Sequence, residues 1–352
     1  MANTTGSAAV AERPADSVWL SKLPTPRIAA VAGLTRPSAD LHRAVRPALG
    51  ELSGLSGAVT DLDVSHDGRS LVAAHLGEDT VSVIDIATLT VSAVVAGIAE
   101  PYAVVASDRA YVRSASISED NVVAVDLETG HQLAAREVGE GARGLAASKS
   151  GDLIYIARST DDIADIAVVD VESGHLSTIA VTRESGAAID AVRVNAAGNR
   201  LYAALSTPAG AAVVTIDVRT GRVLSTIPAG DSIGDIAVHP DGRRIFVTGW
   251  DAELGAVLRI VDTGAGRVVQ TAETGGGLSA QVIVTAGAAY LADGDQVVVV
   301  DAATARIVER IDIGRAVSCL AVSRDGTCLY VGDYDGAITA LEVRSAGLRV
   351  AS

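Results

Sequence analysis

Carboxylates crowd several short segments that recur along the chain. The densest are Asp161, Asp162 and Asp165 in one segment and Asp333 with Asp335 in another. Oxygen ligands of this kind suit calcium, although both segments are too short for an EF-hand loop. A calcium ion at Asp161, Asp162 and Asp165 is therefore a weak candidate. A cation held by Asp161, Asp162, Asp293 or Asp333 could activate water, which is the chemistry of a metal-dependent hydrolase.

Arginines accompany these carboxylates at the ends of predicted strands. Arg113, Arg158 and Arg193 could bind a carboxylate or phosphate through two parallel hydrogen bonds, or they could pair with the neighbouring acids. Trp250 breaks an otherwise aromatic-poor composition, and an exposed loop tryptophan often anchors a binding partner. The candidate ligand-binding residues are Arg113, Arg158, Arg193, Trp250, Asp293 and Asp333.

Patterns typical of enzymes are missing from the sequence. The six histidines are scattered, and only His75, beside Glu78 and Asp79, lies near the candidate loops, where it could act in acid–base catalysis or be a solvated loop residue. No Ser–His–Asp order, His-x-x-x-His pair, cysteine cluster or phosphate-binding loop is found. The sequence favours a protein without catalytic activity and names no cofactor other than the calcium candidate.

A sevenfold repeat positions all of these residues. An acidic residue closes a β-branched run at intervals of 39 to 47 residues, at Asp85, Asp126, Asp170, Asp217, Asp262, Asp301 and Glu342. A second column holds nearly all the aromatic content: Tyr111, Tyr155, Tyr202, Phe246, Tyr290 and Tyr330. Turn signals such as Asp67–Gly68 and Asp241–Gly242 precede that column. A period of this size is typical of propellers or solenoids.

Each repeat reads as four short strands joined by glycine turns. In the fifth repeat they are 233–239, 244–248, 256–262 and 267–271. Short, evenly spaced strands of this kind indicate an antiparallel all-β protein. Four strands in each of seven repeats predict a seven-bladed β-propeller of four-stranded antiparallel blades.

The repeat resembles the YVTN-type β-propeller repeat of bacteria and archaea. The matching stretches are Val81–Asp85 with Thr88, Val122–Asp126 with Thr129 and Gly130, and Asp217 with Thr220 and Gly221. The arginine-rich, lysine-poor composition is similar to that of an actinobacterial protein. The resemblance covers about 290 residues. It implies the fold but no single activity, because that family includes binding modules, surface proteins and relatives of lactonases and quinoprotein subunits.

The expected propeller has two unlike faces. Turns joining strand one to two and three to four lie on the turn face, where Asp85 and its equivalents are expected to cap turns. Loops joining strand two to three, and the linkers between blades, lie on the mouth face around the central channel. Six of the seven mouth-face loops carry acids, so we expect a negative potential there that attracts cations or basic peptides.

The chain is expected to comprise a disordered tail at 1–20, an N-terminal segment at 21–54 and the propeller at 55–352. The last repeat lacks a strong outer strand, which the N-terminal segment could supply. The two candidates for this ring-closing strand are Arg27–Val31 and Leu41–Val45.

Charge and hydropathy limit the partners. The net charge of −15 argues against nucleic acid, and no apolar run approaches the ~20 residues of a membrane span. No signal peptide is visible, and Cys319 and Cys328 do not face each other across their predicted hairpin, so we expect free thiols and a cytoplasmic monomer. The expected function is a non-catalytic scaffold that binds a protein or small molecule at the acidic channel mouth. The alternatives are the lactonase-type hydrolase and a subunit of a cell-envelope redox complex.

Overall fold

The computed structural model describes residues 48–115, 120–275 and 281–343 in full, and the backbone of strands Leu34–Thr35 and Arg43–Ala44. Strands dominate these residues and form seven separate sheets. The one helical turn within the described ranges is the 3-10 helix Leu76–Glu78. The all-β prediction is confirmed.

Each sheet forms one blade, numbered here in chain order. Blade 1 contains Asp61–Val64, Ser70–His75, Thr80–Asp85 and Thr90–Ala96. Blade 2 contains Pro101–Ala106, Arg109–Ala115, Asp120–Asp126 and Gln132–Glu137. Blade 3 contains Ala142–Ala147, Leu153–Ser159, Ala164–Asp170 and Leu176–Thr182. Blade 4 contains Ala188–Val194, Arg200–Thr207, Gly210–Asp217 and Val223–Gly230.

The last three blades recruit strands from the N-terminal segment. Blade 5 contains Asp235–Val238, Arg244–Asp251, Gly255–Asp262 and Arg267–Glu273, with Leu34–Thr35 at its outer edge. Blade 6 contains Val282–Val284, Ala288–Asp293, Gln296–Asp301 and Ile307–Asp312, with Arg43–Ala44 at its outer edge. Blade 7 contains Val317–Val322, Cys328–Asp333 and Ile338–Glu342, and Gly50–Leu52 is its fourth strand.

The first strands of all seven blades surround one axis. Each contacts the first strand of the next blade, and that of blade 7 contacts that of blade 1, so the ring is closed. Within each blade the four principal strands are hydrogen-bonded in order from the axis outward, and neighbours are antiparallel. The predicted seven-bladed β-propeller is confirmed.

The apolar core lies between the blades. Buried side chains form seven clusters, and each cluster joins two neighbouring blades. The aromatic column supplies the largest of these side chains, and all six of its members are buried. Because a single blade has two apolar faces, it can bury both only between two neighbours, which explains the closed ring.

The recurrent acids stabilise turns on the turn face. Oδ1 of Asp85 accepts hydrogen bonds of 2.8 Å from both the backbone nitrogen and the hydroxyl of Thr88. The bonds from the Thr88 side chain and backbone lower the pKa of Asp85. The same arrangement recurs at Asp126, Asp170, Asp217 and Asp301. The expected turn-capping role is confirmed.

Two stretches were predicted to close the ring. The structure corrects one of them, and the other lies outside the described residues. Gly50–Leu52 closes the ring by pairing with Ile338–Glu342 in antiparallel fashion. Of the Leu41–Val45 stretch, Arg43–Ala44 instead joins the neighbouring blade 6 in parallel orientation. Arg27–Val31 and the 1–20 tail lie outside the described residues. The closing strand Gly50–Leu52 lies within the 21–54 segment that was expected to supply it, but further along the chain than either candidate stretch.

Loss of the closing strand should weaken the ring. A chain that begins at residue 48 retains Gly50–Leu52, whereas one that begins at residue 55 exposes the edge of Ile338–Glu342 and removes the contact of Leu52 with the core between blades 7 and 1. We expect a melting temperature lower by about 5 °C or more for the second chain. Equal melting temperatures in differential scanning calorimetry would contradict this role.

Candidate functional site

Arginine–aspartate pairs brace the mouth-face loops in five blades. Arg158 holds Asp165 through two hydrogen bonds, from Nε at 2.8 Å and from Nη2 at 2.9 Å. Equivalent ion pairs join Arg113 to Asp120, Arg259 to Asp251, Arg310 to Asp293 and Arg315 to Asp333. Each pair ties the end of a second strand, or the start of a third, to a neighbouring segment. These pairs therefore fix the loop that each blade presents on the mouth face.

The braces change the interpretation of several predicted site residues. Asp293 and Asp333 are buried, and Asp333 also accepts hydrogen bonds from the backbone nitrogens of Asp335 and Ala337. Arg158 donates to Asp165 and to the carbonyl of Val138 and does not line the axial cavity. Arg158, Asp293 and Asp333 are therefore engaged in ion pairs that hold the mouth-face loops in place.

The calcium candidate is not supported by the geometry. Asp165 is engaged with Arg158, while Asp161 and Asp162 are exposed. In the three described ranges, no group of three or more His, Cys, Asp or Glu side chains is arranged to hold a metal ion. His75, the candidate acid–base residue, is buried rather than solvated. Its Nε2 lies 2.9 Å from the hydroxyl of Ser82, and burial lowers its pKa.

An axial cavity of about 1000 Å³ occupies the centre of the ring. The first strand of every blade contributes to its lining, as expected for the channel of a propeller. Arg113 and Arg193 are the predicted site residues that the fold brings to this cavity. Trp250, Arg158, Asp293 and Asp333 do not contribute to it.

Bulges in four first strands add side chains to the cavity wall. The strand register shifts at Pro101/Ala103, Ala142/Leu145, Ile189/Ala191 and Val317/Cys319, always near the mouth-face end. The extra residues include Tyr102, Arg143, Asp190 and Ser318, and all four line the cavity. Bulges reorient side chains and are frequent next to binding sites. Three of them lie in consecutive blades, so Tyr102, Arg143 and Asp190 form a continuous arc.

Carboxylates deeper in the cavity satisfy backbone groups of the next blade. Asp61 accepts from the nitrogens of Leu62 and Val104, and Asp63 accepts from those of Val64 and Ala106. Asp235 accepts from Arg193 and from the nitrogen of Val282. Burial raises the pKa of Asp63 and of Asp235, and it raises the pKa of Asp61 to about 7.

Both cysteines are free thiols. Cys319 is buried in the cavity wall, and its register partner is Gly332. The nitrogen of Ser323 donates to the carbonyl of Cys328, which confirms the predicted hairpin register. Burial raises the pKa of the Cys319 thiol far above its ordinary value, so this sulfur is not a nucleophile near neutral pH.

Three exposed aromatic side chains lie on the mouth face. Tyr102 is the second residue of the first strand of blade 2, and Trp250 is the next-to-last residue of the second strand of blade 5. Tyr334 lies in the loop that joins the second and third strands of blade 7. Their exposed fractions are 53%, 42% and 57%. Sequence reasoning found Trp250 and missed the two tyrosines. The available signal was that both tyrosines fall outside the aromatic column.

The fold and the axial site define a seven-bladed β-propeller protein. The chain is 31% identical over 326 residues to the "Seven-bladed beta-propeller protein Rv1057" of Mycobacterium tuberculosis (strain ATCC 25618 / H37Rv), an alignment that covers 82% of this chain and 83% of that protein. The chain therefore belongs to this seven-bladed β-propeller family. The WD40 family (WD domain, G-beta repeat) also matches residues 313–339, within blade 7.

A more distant likeness concerns the fold alone. The structure is similar to that of Kuenenia stuttgartiensis hydrazine synthase, with a TM-score of 0.73 and 21% sequence identity. The match covers 84% of this chain and 98% of that one. In the described portion of the chain, no helix has the length and hydropathy to cross a bilayer.

The buried carboxylates predict a pH dependence of stability. Because the pKa of Asp61 rises from 3.8 to about 7 on folding, the folded protein binds an extra proton between these values. Stability should therefore fall as pH rises from 4 to 7, on the order of 1 kcal/mol per pH unit from this residue. Asp61→Asn should flatten that slope in denaturant titrations.

Asp85→Asn is the matched control for this experiment, because the lowered pKa of Asp85 affects stability only below about pH 4. The assignment would be wrong if Asp61→Asn left the slope between pH 4 and 7 unchanged.

The Arg315 brace should matter for folding. Its Nε lies 2.7 Å from Oδ2 of Asp333, and its other nitrogens reach Glu51 of the closing strand and Thr339. Arg315→Ala leaves the buried Asp333 without its cation, so we expect a loss of about 3 kcal/mol in the free energy of unfolding. Adding Asp333→Asn should recover part of this loss in a double-mutant cycle. A change below about 0.5 kcal/mol would contradict the brace.

Proposed function

We propose that the protein is a non-catalytic scaffold that binds a partner protein on its mouth face. The partner presents apolar pockets and a basic surface. We further infer that the protein is a cytoplasmic monomer. We also infer that its repeats are of the YVTN type, in keeping with the residue pattern of Val81–Asp85 and its equivalents. The aromatic anchors are Trp250 and Tyr334, and Tyr102 is exposed on the same face.

The distribution of aromatic side chains carries this proposal. Six of the nine aromatic residues in the described ranges belong to the column buried between blades. The other three are Tyr102, Trp250 and Tyr334, and all of them are exposed on the same face. Exposed aromatics are enriched among the residues that dominate binding energy at protein interfaces. Within the described ranges, every aromatic residue therefore belongs either to the core or to this one surface.

The surrounding loops are held rigid. Each arginine–aspartate brace fixes the end of a mouth-face strand, and Trp250 is itself tied to Ser232, whose hydroxyl accepts from the Trp250 nitrogen at 3.0 Å. A surface fixed before binding loses less conformational entropy when a partner docks. The braces therefore support affinity without contacting the partner.

Electrostatics favour a basic partner. The braces neutralise several of the acids that were expected to charge the mouth face. Six others are exposed and carry no ion pair within the described residues: Glu78, Asp79, Asp161, Asp162, Glu253 and Asp335. Such a charged rim increases the association rate and suppresses acidic partners. The hydrolase alternative lacks a comparable supporting observation.

Removal of the anchors should release the partner. We expect Trp250→Ala with Tyr334→Ala to weaken binding by about tenfold or more, because truncation of each anchoring aromatic typically costs about 2 kcal/mol. The measurement is quantitative cross-linking mass spectrometry of captured proteins, followed by titration of the captured partner in purified form.

A matched control keeps the number of removed apolar side chains equal. Leu133 and Leu224 are similarly exposed but lie on the outer strands of blades 2 and 4. Leu133→Ala with Leu224→Ala should leave binding unchanged. Equal recovery of every partner by the wild type and the Trp250/Tyr334 variant would remove these residues from the interface.

A further inference from the structure

We propose that the mouth-face end of the axial cavity binds an organic carboxylate, held by Arg143 and placed beside the ring of Tyr102. This site is separate from the protein-docking anchors Trp250 and Tyr334, which do not line the cavity. The ligand carries one carboxylate and a planar apolar part.

Arg143 has unused hydrogen-bonding capacity. It lies in the bulge of blade 3, and its side chain is 53% exposed within the cavity lining. Its one hydrogen bond within the described residues runs from Nη1 to Oδ1 of Asp190, at 3.2 Å. The planar fork of a guanidinium matches a carboxylate through two parallel bonds. Nε and Nη2 therefore remain available on one edge of the fork.

Other arginines of the cavity are more fully engaged. Arg193 donates to Asp235 at 2.8 Å and to the carbonyl of Val192 at 2.8 Å. Arg324 donates to the carbonyls of Ser65, Val64 and Ala106 across two blades. Arg143 is distinguished by combining a single bond with a largely exposed side chain.

The acids of the cavity offer little to a cation. Asp61 and Asp63 each accept two backbone hydrogen bonds, and Asp235 is paired with Arg193. Asp190, the partner of Arg143, also accepts from the hydroxyl of Ser206 at 2.7 Å. That second bond fixes Asp190, which in turn holds the Nη1 side of the Arg143 fork. Among the charged side chains of the described cavity lining, Arg143 therefore has the most unused hydrogen-bonding capacity, which favours an anion.

Tyr102 supplies an apolar surface in the adjacent blade. The guanidinium of Arg113 lies over its ring, with Cζ 5.7 Å from the centroid, and Arg113 is in turn paired with Asp120. The ring remains 53% exposed. Because Tyr102 and Arg143 are bulge residues of neighbouring blades, both project into the same end of the cavity. A planar group can pack on the exposed part of Tyr102 while its carboxylate meets Arg143.

The experiment is calorimetric titration of the full chain with acetate, benzoate, phenylacetate and a short peptide with a free C-terminus. Benzamide and the amidated peptide are the uncharged counterparts. We expect saturable one-to-one binding of at least one carboxylate, loss of that binding by about tenfold or more in Arg143→Ala, and no binding of the uncharged counterparts. Preference for benzoate or for the peptide distinguishes a free metabolite from a chain terminus as the source of the carboxylate.

The controls separate the site from general charge effects and from protein docking. Arg143→Gln tests the requirement for charge with a side chain of similar length, and Tyr102→Leu should weaken benzoate binding more than acetate binding. Arg69→Ala removes an equally positive but distant arginine, whose side chain is 86% exposed, and should have no effect. Trp250→Ala should also bind the carboxylate normally.

Two outcomes would overturn the proposal. One is the absence of saturable binding by every carboxylate tested, with melting curves showing that the protein is folded. The other is equal binding by the wild type and Arg143→Ala. Neither outcome affects the protein-docking surface, since that depends on Trp250 and Tyr334 in a separate assay.

Discussion

The inner edge of each blade imposes the main constraint on this structure. The first strand of a blade pairs with the second, but its other edge has no strand partner in the sheet. Unpaired backbone groups at such an edge are costly when buried. The ring satisfies several of them with side chains: Asp61 accepts from the nitrogen of Val104, Asp235 accepts from that of Val282, and Gln281 accepts from that of Leu320. Closure therefore depends on polar side chains at the axis as well as on apolar layers between blades.

This constraint divides the polar residues of the cavity into two groups. Residues that lie in register with the strand ladder, such as Asp61 and Asp235, bind the neighbouring blade and are occupied by the fold. Bulge residues lie outside the ladder, so Arg143 and Tyr102 can project inward without serving an edge. The difference explains why a cavity with several charged side chains presents few groups to a ligand. A bulge thus adds a cavity-lining side chain without breaking the closure of the ring.

The turns and the blades could be predicted from the sequence, because they depend on contacts within one repeat. The bond from Thr88 to Asp85 spans three residues, and the aromatic column recurs once in every repeat, so spacing alone revealed the blades. The arginine braces match one of the two expected roles, pairing with neighbouring acids, because Arg158 and Asp165 lie only seven residues apart. The contact of Arg315 with Glu51 was not predicted, because it spans 264 residues of sequence. The bulges were also not predicted, since one inserted residue near the start of a strand, such as Tyr102, leaves most of the alternating pattern unchanged. The closing strand was not predicted because Gly50–Leu52 is only three residues long and is stabilised by pairing with the open edge of Ile338–Glu342.

The same logic explains why function must be sought on one face. Turn-face acids are bound to neighbouring hydroxyls and backbone nitrogens, as at Asp126 and Asp170, so they are saturated by local contacts. Mouth-face loops are held instead by arginine–aspartate pairs such as Arg158–Asp165 and Arg315–Asp333, which leave the exposed positions free to differ from blade to blade. Trp250, near the end of the second strand of blade 5, and Tyr334, just after the second strand of blade 7, are two such exposed positions. A repeat that fixes its turns through local contacts and holds its loops with arginine–aspartate pairs keeps its fold while the exposed tips vary, which is why the proposed binding residues lie at those tips and at the bulges.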